Sequence, residues 1–245
     1  MPEIDNKRRQ FIGYSSLGLL GAVMSGGIIF APDVSAENKI LRPPGALDEK
    51  DFLALCIKCG QCLQVCPYHS IHLFDITTIY SMGTPYIDAR ERACYACEAL
   101  PCVLACPSGA LSHSIEKPEE AKMGVAVLVS QERCLGVQKK SVPKSFIQMI
   151  KTTHPHSHEL ELKVIEKLEA YEDRACTICA DLCPLENASL AIEMISHKEG
   201  GEMPKIFSGC IGCGVCQELC PATDSAIVIK PRLTYEQYYI EGKKS

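Results

Sequence analysis

The sequence predicts an α+β fold assembled from duplicated cysteine-rich modules, with long connecting loops and an inserted helix. Three observations carry that reading. Sixteen cysteines fall into recurring groups. Each group closes on a Cys-Pro pair: Cys66-Pro67, Cys106-Pro107, Cys183-Pro184 and Cys220-Pro221. A turn and a short apolar segment follow each pair, at residues 70–73, 109–111, 190–194 and 226–229. Self-similarity of this kind marks duplicated units. The apolar segments read as short strands that follow one helical turn and pair into small two-stranded sheets.

Residues 1–36 come first and read as an export signal. Lys7, Arg8 and Arg9 precede Gln10, Phe11 and Ile12, and residues 12–30 carry no charge. Val34-Ser35-Ala36 places small residues where a signal peptidase reads. The paired arginines followed by x-Phe-Ile resemble a bacterial twin-arginine signal. An uncleaved tether is the alternative, because 19 residues at about 1.5 Å each nearly match an apolar bilayer core of about 30 Å. Gly13, Gly18, Gly21, Gly26 and Gly27 make the stretch weakly hydrophobic. The twin-arginine route carries folded proteins, so such a leader on a cysteine-rich chain points to a metal cofactor inserted before export.

Residues 37–245 form the body. Its first group, Cys56, Cys59, Cys62 and Cys66, has the spacing C-x2-C-x2-C-x3-C. Cys94, Cys97, Cys102 and Cys106 form the second, spaced C-x2-C-x4-C-x3-C. The third, Cys176, Cys179 and Cys183, lacks a near upstream partner, and the one unassigned cysteine, Cys134, completes it. The fourth, Cys210, Cys213, Cys216 and Cys220, repeats the first. C-x2-C-x2-C-x3-C-P is the bacterial ferredoxin run. Two intervening residues let a tight loop aim three thiolates at three irons of a 4Fe–4S cubane. The fourth cysteine lies where the chain leaves, so it serves a neighbouring cluster, and the proline sets φ for the next turn. All sixteen cysteines are thus the expected ligands of four 4Fe–4S clusters in ferredoxin-like modules. Gly60, Gly212 and Gly214 read as backbone relief inside the cluster loops. Each module has a modest core, so cluster binding is expected to be coupled to folding.

Other chemistries fit less well. With 25 basic and 30 acidic residues the formal charge is −5, which argues against phosphate neutralisation. Aromatic content of 6 % without Trp argues against base stacking. An exported chain with an even cysteine count suggests disulfides, but a proline after every fourth cysteine and the recurring x2 spacing suit cluster loops better. Zinc sites use C-x2-C pairs, often with histidine, whereas C-x2-C-x2-C suits a cubane. No Ser-His-Asp order, phosphate loop or dinucleotide fingerprint is present, and no catalytic site is expected.

These residues also carry a family resemblance. After the leader come Leu41-Arg42-Pro43-Pro44-Gly45-Ala46, group one, Gly83-Thr84-Pro85-Tyr86, group two with Cys106-Pro107-Ser108-Gly109-Ala110-Leu111, then Met123-Gly124-Val125-Ala126-Val127-Leu128-Val129. This order closely resembles the ferredoxin-type proteins NapG and MauM over nearly the whole chain. The resemblance implies an electron-transfer subunit outside the cytoplasmic membrane. It would relay electrons from a membrane quinol dehydrogenase partner, an iron–sulfur protein like NapH or NosH, toward a periplasmic c-type cytochrome or terminal reductase of nitrate or nitrous oxide. Membrane association would run through that partner. The iron–sulfur subunit of a molybdopterin oxidoreductase and a reductase maturation factor are the alternatives.

Two pairings of the groups are open. Nesting, as in four-cluster subunits of respiratory enzymes, is expected: residues 37–75 with 205–245 would hold an outer pair and residues 76–204 an inner pair. Cys220 would then join Cys56, Cys59 and Cys62, and Cys66 would join Cys210, Cys213 and Cys216. Cys183 would join Cys94, Cys97 and Cys102, and Cys106 would join Cys134, Cys176 and Cys179. Sequential pairing, one with two and three with four, is the alternative. The 41 residues between Cys134 and Cys176 exceed the spacer expected of the family, so residues 135–175 read as an insertion. It carries Lys139, Lys140, Lys144 and Lys151, then His154, His156 and His158, read as solvated and not as metal ligands. A helix is expected from Glu159 toward Asp173, with Leu160, Val164, Leu168 and Tyr171 at helical spacing. The insertion is expected to cover group three or contact a partner.

Replacing Arg8 and Arg9 by Lys is expected to retain the protein in the cytoplasm, read by cell fractionation; unchanged export would overturn the reading of the leader.

Overall fold

The computed structural model describes residues 40–77, 81–153 and 158–242. The expected leader, His154 and His156 lie outside the described residues. Among the described residues no helix is long and apolar enough to cross a membrane.

Regular structure is sparse and short, and the cysteine loops dominate. Helix α1 (Glu49–Leu55) leads into group one. Four one-turn helices then recur, one per group: α2 (Gln61–Gln64), α3 (Pro101–Leu104), α6 (Ile178–Asp181) and α7 (Val215–Glu218). Each holds its group's third cysteine, and the fourth follows two residues after the helix end. Two longer helices, α4 (Lys144–Thr153) and α5 (Glu159–Glu169), lie between Cys134 and Cys176.

Among the described residues there are three two-stranded antiparallel sheets. Strand β1 (His72–Leu73) pairs with β2 (Pro85–Tyr86). Strand β3 (Gly124–Leu128) pairs with β6 (Ile227–Pro231) in the register Gly124↔Pro231 to Leu128↔Ile227. Strand β4 (Ile192–Ser196) pairs with β5 (Glu202–Ile206). The apolar segments after groups one, three and four therefore become strands. After group two there is only an isolated bridge, Leu111 with Ala46, and residues 188–190 form a single 3₁₀ turn before β4.

The segment between Cys134 and Cys176 holds two helices where one was expected. Phe146, Ile147 and Ile150 bury one stripe of α4, a 3.6-period pattern beneath the lysines that the charge reading passed over. Helix α5 ends at Glu169, before Tyr171; of the expected stripe Leu168 is buried and Leu160, Val164 and Tyr171 are half-buried, while Glu161 and Ile165 complete the buried face. Its start is a capping box: His158 Nδ1 accepts from Leu160 N at 3.2 Å, and Glu161 accepts from His158 N at 3.2 Å.

Charged side chains do much of the fastening. Arg42, 1 % exposed, lies 4.6 Å from the Phe52 ring. It donates to Glu49 at 3.0 Å through Nε, and to Thr84 Oγ1 at 2.9 Å and the Pro85 carbonyl at 2.7 Å. Arg232, beyond β6, donates to the same Glu49 carboxylate at 2.7 Å and to the Leu47 carbonyl at 2.7 Å. Residues far apart in the chain thereby meet on one carboxylate. Burial opposes ionisation of Glu49, but the two guanidinium groups outweigh it and hold its carboxyl below the usual carboxylate range.

Because Glu49 ionises more readily when folded, its stabilisation is present above the unfolded carboxyl range and is lost as pH falls through the lower folded value. Replacing Glu49 by Ala leaves two guanidinium groups unpaired. We expect a loss of about 3 kcal/mol at pH 7, measured by anaerobic denaturant unfolding, and a smaller difference from wild type in acid.

Candidate metal centres

The cysteine loops are set by matched backbone conformations. The residue before the second cysteine is left-handed in groups one, two and four: Lys58 (φ 59°), Ala96 (47°) and Gly212 (72°). The residue capping the helical turn is left-handed in the same three: Gly60 (73°), Leu100 (43°) and Gly214 (97°). Gly60, Gly212 and Gly214 thus occupy the positions where relief was expected. Group three departs, and Thr177 caps α6 at φ −127°.

The thiols gather in four quartets. Burial pushes the Cys62 thiol up to about 11, and the neighbouring Cys56, Cys106 and Cys59 add to the rise. Cys66, Cys94, Cys97 and Cys102 line one cavity of about 360 Å³. Cys134, Cys176, Cys179 and Cys220 line another of about 370 Å³. Cys183, Cys210, Cys213 and Cys216 line a third of about 350 Å³, beside Cys179. Cys134 therefore stands with group three, as the sequence suggested.

The pairing departs from the nested expectation. Cys66 and Cys106 exchange between groups one and two, and Cys183 and Cys220 between groups three and four. Residues 37–75 and 205–245 do not join in an outer pair, nor do residues 76–204 hold an inner one. The reason is local: turns α2 and α3 pack together, as do α6 and α7. The chain leaving each turn therefore reaches its sequence neighbour's cavity.

The electrostatics suit protonated thiols until a cation arrives. Burial pushes Cys97 up to about 11 and Cys102 and Cys176 up to about 12. Desolvation likewise raises the Cys94, Cys179 and Cys216 thiols well above the free value. Cys106 is the exception. Burial opposes its ionisation, but donors at Leu111, Ser108 and Gly109 outweigh it and lower the thiol. Three sulfurs accept backbone N–H groups at 3.4 Å: Cys66 from Ser70, Cys106 from Leu111, and Cys210 from Ala126. All sixteen cysteines are free.

Comparison with known proteins follows the same lines. Residues 55–110, which contain groups one and two, match the 4Fe–4S dicluster domain family. The chain is 36 % identical over 200 residues to the methylamine utilization ferredoxin-type protein MauM of Methylorubrum extorquens, covering 80 % of this chain and 75 % of that one. It is 36 % identical over 205 residues to the ferredoxin-type protein NapG of Escherichia coli, covering 80 % and 89 %. Over 239 residues it is 32 % identical to NapG of Haemophilus influenzae, covering 94 % and 74 %. The chain belongs to the NapG/MauM family of ferredoxin-type proteins. No solved structure matches it.

This NapG/MauM-type chain is an iron–sulfur electron-transfer protein that binds 4Fe–4S clusters, and its residues fit that group. Thiols ringing a cavity, with N–H donors aimed at sulfur, match a cluster whose irons each take one thiolate. Raised thiols imply that iron entry releases protons, so assembly is favoured as pH rises.

Sequence reading missed the polar residues around the quartets. Arg92, Glu161 and Glu218 are buried beside groups one, two and four. Nothing in their spacing marks them, since they lie 57 or more residues from one another.

Gly212 separates a structural from a conformational role for glycine. A Cβ there would sit 2.3 Å from the Gly124 carbonyl carbon, whereas one on Gly109 (φ 72°) meets nothing within 4 Å. Gly109→Ala is expected to cost about 1 kcal/mol, the left-handed penalty alone. Gly212→Ala adds a backbone clash and is expected to cost at least about 3 kcal/mol, with iron lost from purified protein; anaerobic unfolding and iron analysis compare the two.

Proposed function

We propose that this chain is a four-cluster electron relay working on the periplasmic side of the membrane. Its ligand sets are Cys56, Cys59, Cys62 with Cys106; Cys94, Cys97, Cys102 with Cys66; Cys134, Cys176, Cys179 with Cys220; and Cys210, Cys213, Cys216 with Cys183. The observation carrying this reading is that sixteen free thiols divide without remainder into four quartets. When bound, each cluster supplies a one-electron couple whose potential depends on burial and hydrogen bonds to sulfur. The chain contributes those terms. The N–H groups of Ser70, Leu111 and Ala126 stabilise negative charge on sulfur, and the apolar cavity walls exclude water.

The quartets also read as a row. Cys62 and Cys102 interact across the first pair, and Cys179 and Cys216 across the second. Cys94 N donates to the Cys213 carbonyl at 3.0 Å between the pairs. Electrons would enter at one end quartet and leave at the other. Cys59, in the first quartet, is exposed, as an electron entry or exit requires. The membrane partner would be an iron–sulfur protein of the NapH or NosH kind. The acceptor would be a c-type cytochrome or a terminal reductase of nitrate or nitrous oxide. The twin-arginine leader would deliver the loaded protein.

Anaerobically purified protein is expected to be brown and to hold about sixteen irons per chain. Cys220→Ala should remove about four of them, and the surviving spectrum should lack the Cys134, Cys176 and Cys179 centre. Loss of the Cys56, Cys59 and Cys62 centre in its place would overturn the assignment. In a gene deletion, a synthetic donor supplied directly to the terminal reductase should restore reduction; an inactive reductase would point to maturation.

A further inference from the structure

One guanidinium stands where three parts of the chain meet. Arg92, 5 % exposed, lies two residues before Cys94. Its Nε donates to the Tyr68 carbonyl at 2.7 Å, two residues beyond Cys66. Nη1 donates to Glu218 Oε1 at 3.3 Å, between Cys216 and Cys220. Nη2 donates to Glu161 Oε1 at 2.5 Å, on α5. Glu218 also accepts from Ala93 N at 2.7 Å through its other oxygen.

These bonds surround the place where the two pairs of quartets touch. The Cys94 N–H donates to the Cys213 carbonyl at 3.0 Å, joining a residue of the second quartet to one of the quartet formed by Cys183, Cys210, Cys213 and Cys216. Tyr68 and Tyr95 stack at 4.4 Å between ring centroids and line the second quartet's cavity. Among the described residues no sheet crosses this junction near Arg92, since β1 and β2 lie wholly within the first half. β3 and β6 tie the halves together, with Gly124 of β3 lying against Ile211 and Gly212.

We infer that Arg92 is a positioning residue for electron transfer between the two cluster pairs. It holds the Cys94 loop against the Cys213 loop by gripping Tyr68, Glu218 and Glu161 at once. This inference rests on the four-cluster reading above. The transfer it supports would pass one electron across the Cys94–Cys213 contact, oxidising a reduced cluster held on one side and reducing an oxidised cluster held on the other, with no bond formed or broken. Three directional donors in one plane explain why an arginine suits the position. A lysine ammonium cannot span three separated acceptors with fixed geometry. The inference also gives the segment between Cys134 and Cys176 a role: α5 brings Glu161 to the junction, so the segment closes the seam between the halves.

The test uses full-length, iron-loaded protein. Arg92→Lys keeps the positive charge and is expected to keep about sixteen irons per chain. The inter-pair part of the spin–spin splitting in the fully reduced electron paramagnetic resonance spectrum should narrow. Electron transfer from one pair to the other after photoreduction by a ruthenium dye should slow at least about tenfold, because misplacement of about 1 Å is costly where geometry limits a rate. Splitting within each pair should stay as in wild type. Unchanged inter-pair splitting and rate at full iron content would overturn the inference. Should Arg92→Lys fail to hold iron, Glu161→Gln decides, since it keeps an acceptor for Arg92 and removes only the charge: a smaller change in the same direction supports the inference, and no change overturns it. Wild-type protein holding well below sixteen irons would instead overturn the four-cluster reading, whatever Arg92 does.

Discussion

A loop that curls tightly enough to direct three thiols at one centre carries its fourth cysteine out of reach of that centre. In this chain the constraint recurs four times. Each fourth cysteine leaves a one-turn helix and completes a neighbouring set, so no module can close alone. Cys66 and Cys106 are exchanged in the first half, and Cys183 and Cys220 in the second. Modules therefore come as interlocked pairs, and the sheets, the helices between groups and the buried charges are arranged around that exchange. Two- to five-residue strands bury too little on their own to specify the fold, so thiol–iron bonding is the natural complement to the apolar core.

Charge fixes how the interlocked parts sit. Arg42 and Arg232 meet on Glu49, and Arg92 joins Glu161 to Glu218. Arg90 adds donors to the Thr223 carbonyl at 2.8 Å and to Ser225 Oγ. Desolvation offsets most of what a buried ion pair gains, and the cost of breaking one is large. Such pairs do more to select one arrangement of loops than to raise net stability. In a protein whose task depends on separations between redox centres, that selectivity bears directly on function.

Much of the site was legible because its chemistry is periodic. The x2 spacings, the Cys-Pro endings and the left-handed turns at Gly60, Gly212 and Gly214 all describe backbone geometry within a few residues, where covalent geometry limits the outcomes. Cys134 could be assigned by elimination despite its distance from Cys176. The segments after groups one, three and four read as strands for the same reason, since an apolar run after a tight turn has few alternatives. The helix over residues 144–153 was hidden by its lysines, although Phe146, Ile147 and Ile150 already marked one face. In α5 the buried stripe ran through Glu161, a residue that hydropathy assigns to solvent and that its hydrogen bonds with His158, His69 and the distant Arg92 make burial-competent.

Local spacing by itself therefore marked the sixteen thiols, their grouping in fours, and the place of the chain among ferredoxin-type proteins. The tertiary structure alone decided which group lends its last cysteine to which, because that depends on which helical turns pack side by side: α2 on α3 and α6 on α7. It also decided the company of Arg92, Glu161 and Glu218. Long-range charge pairs leave no trace in spacing, since any arginine can meet any carboxylate until the packed chain excludes water from all but one combination.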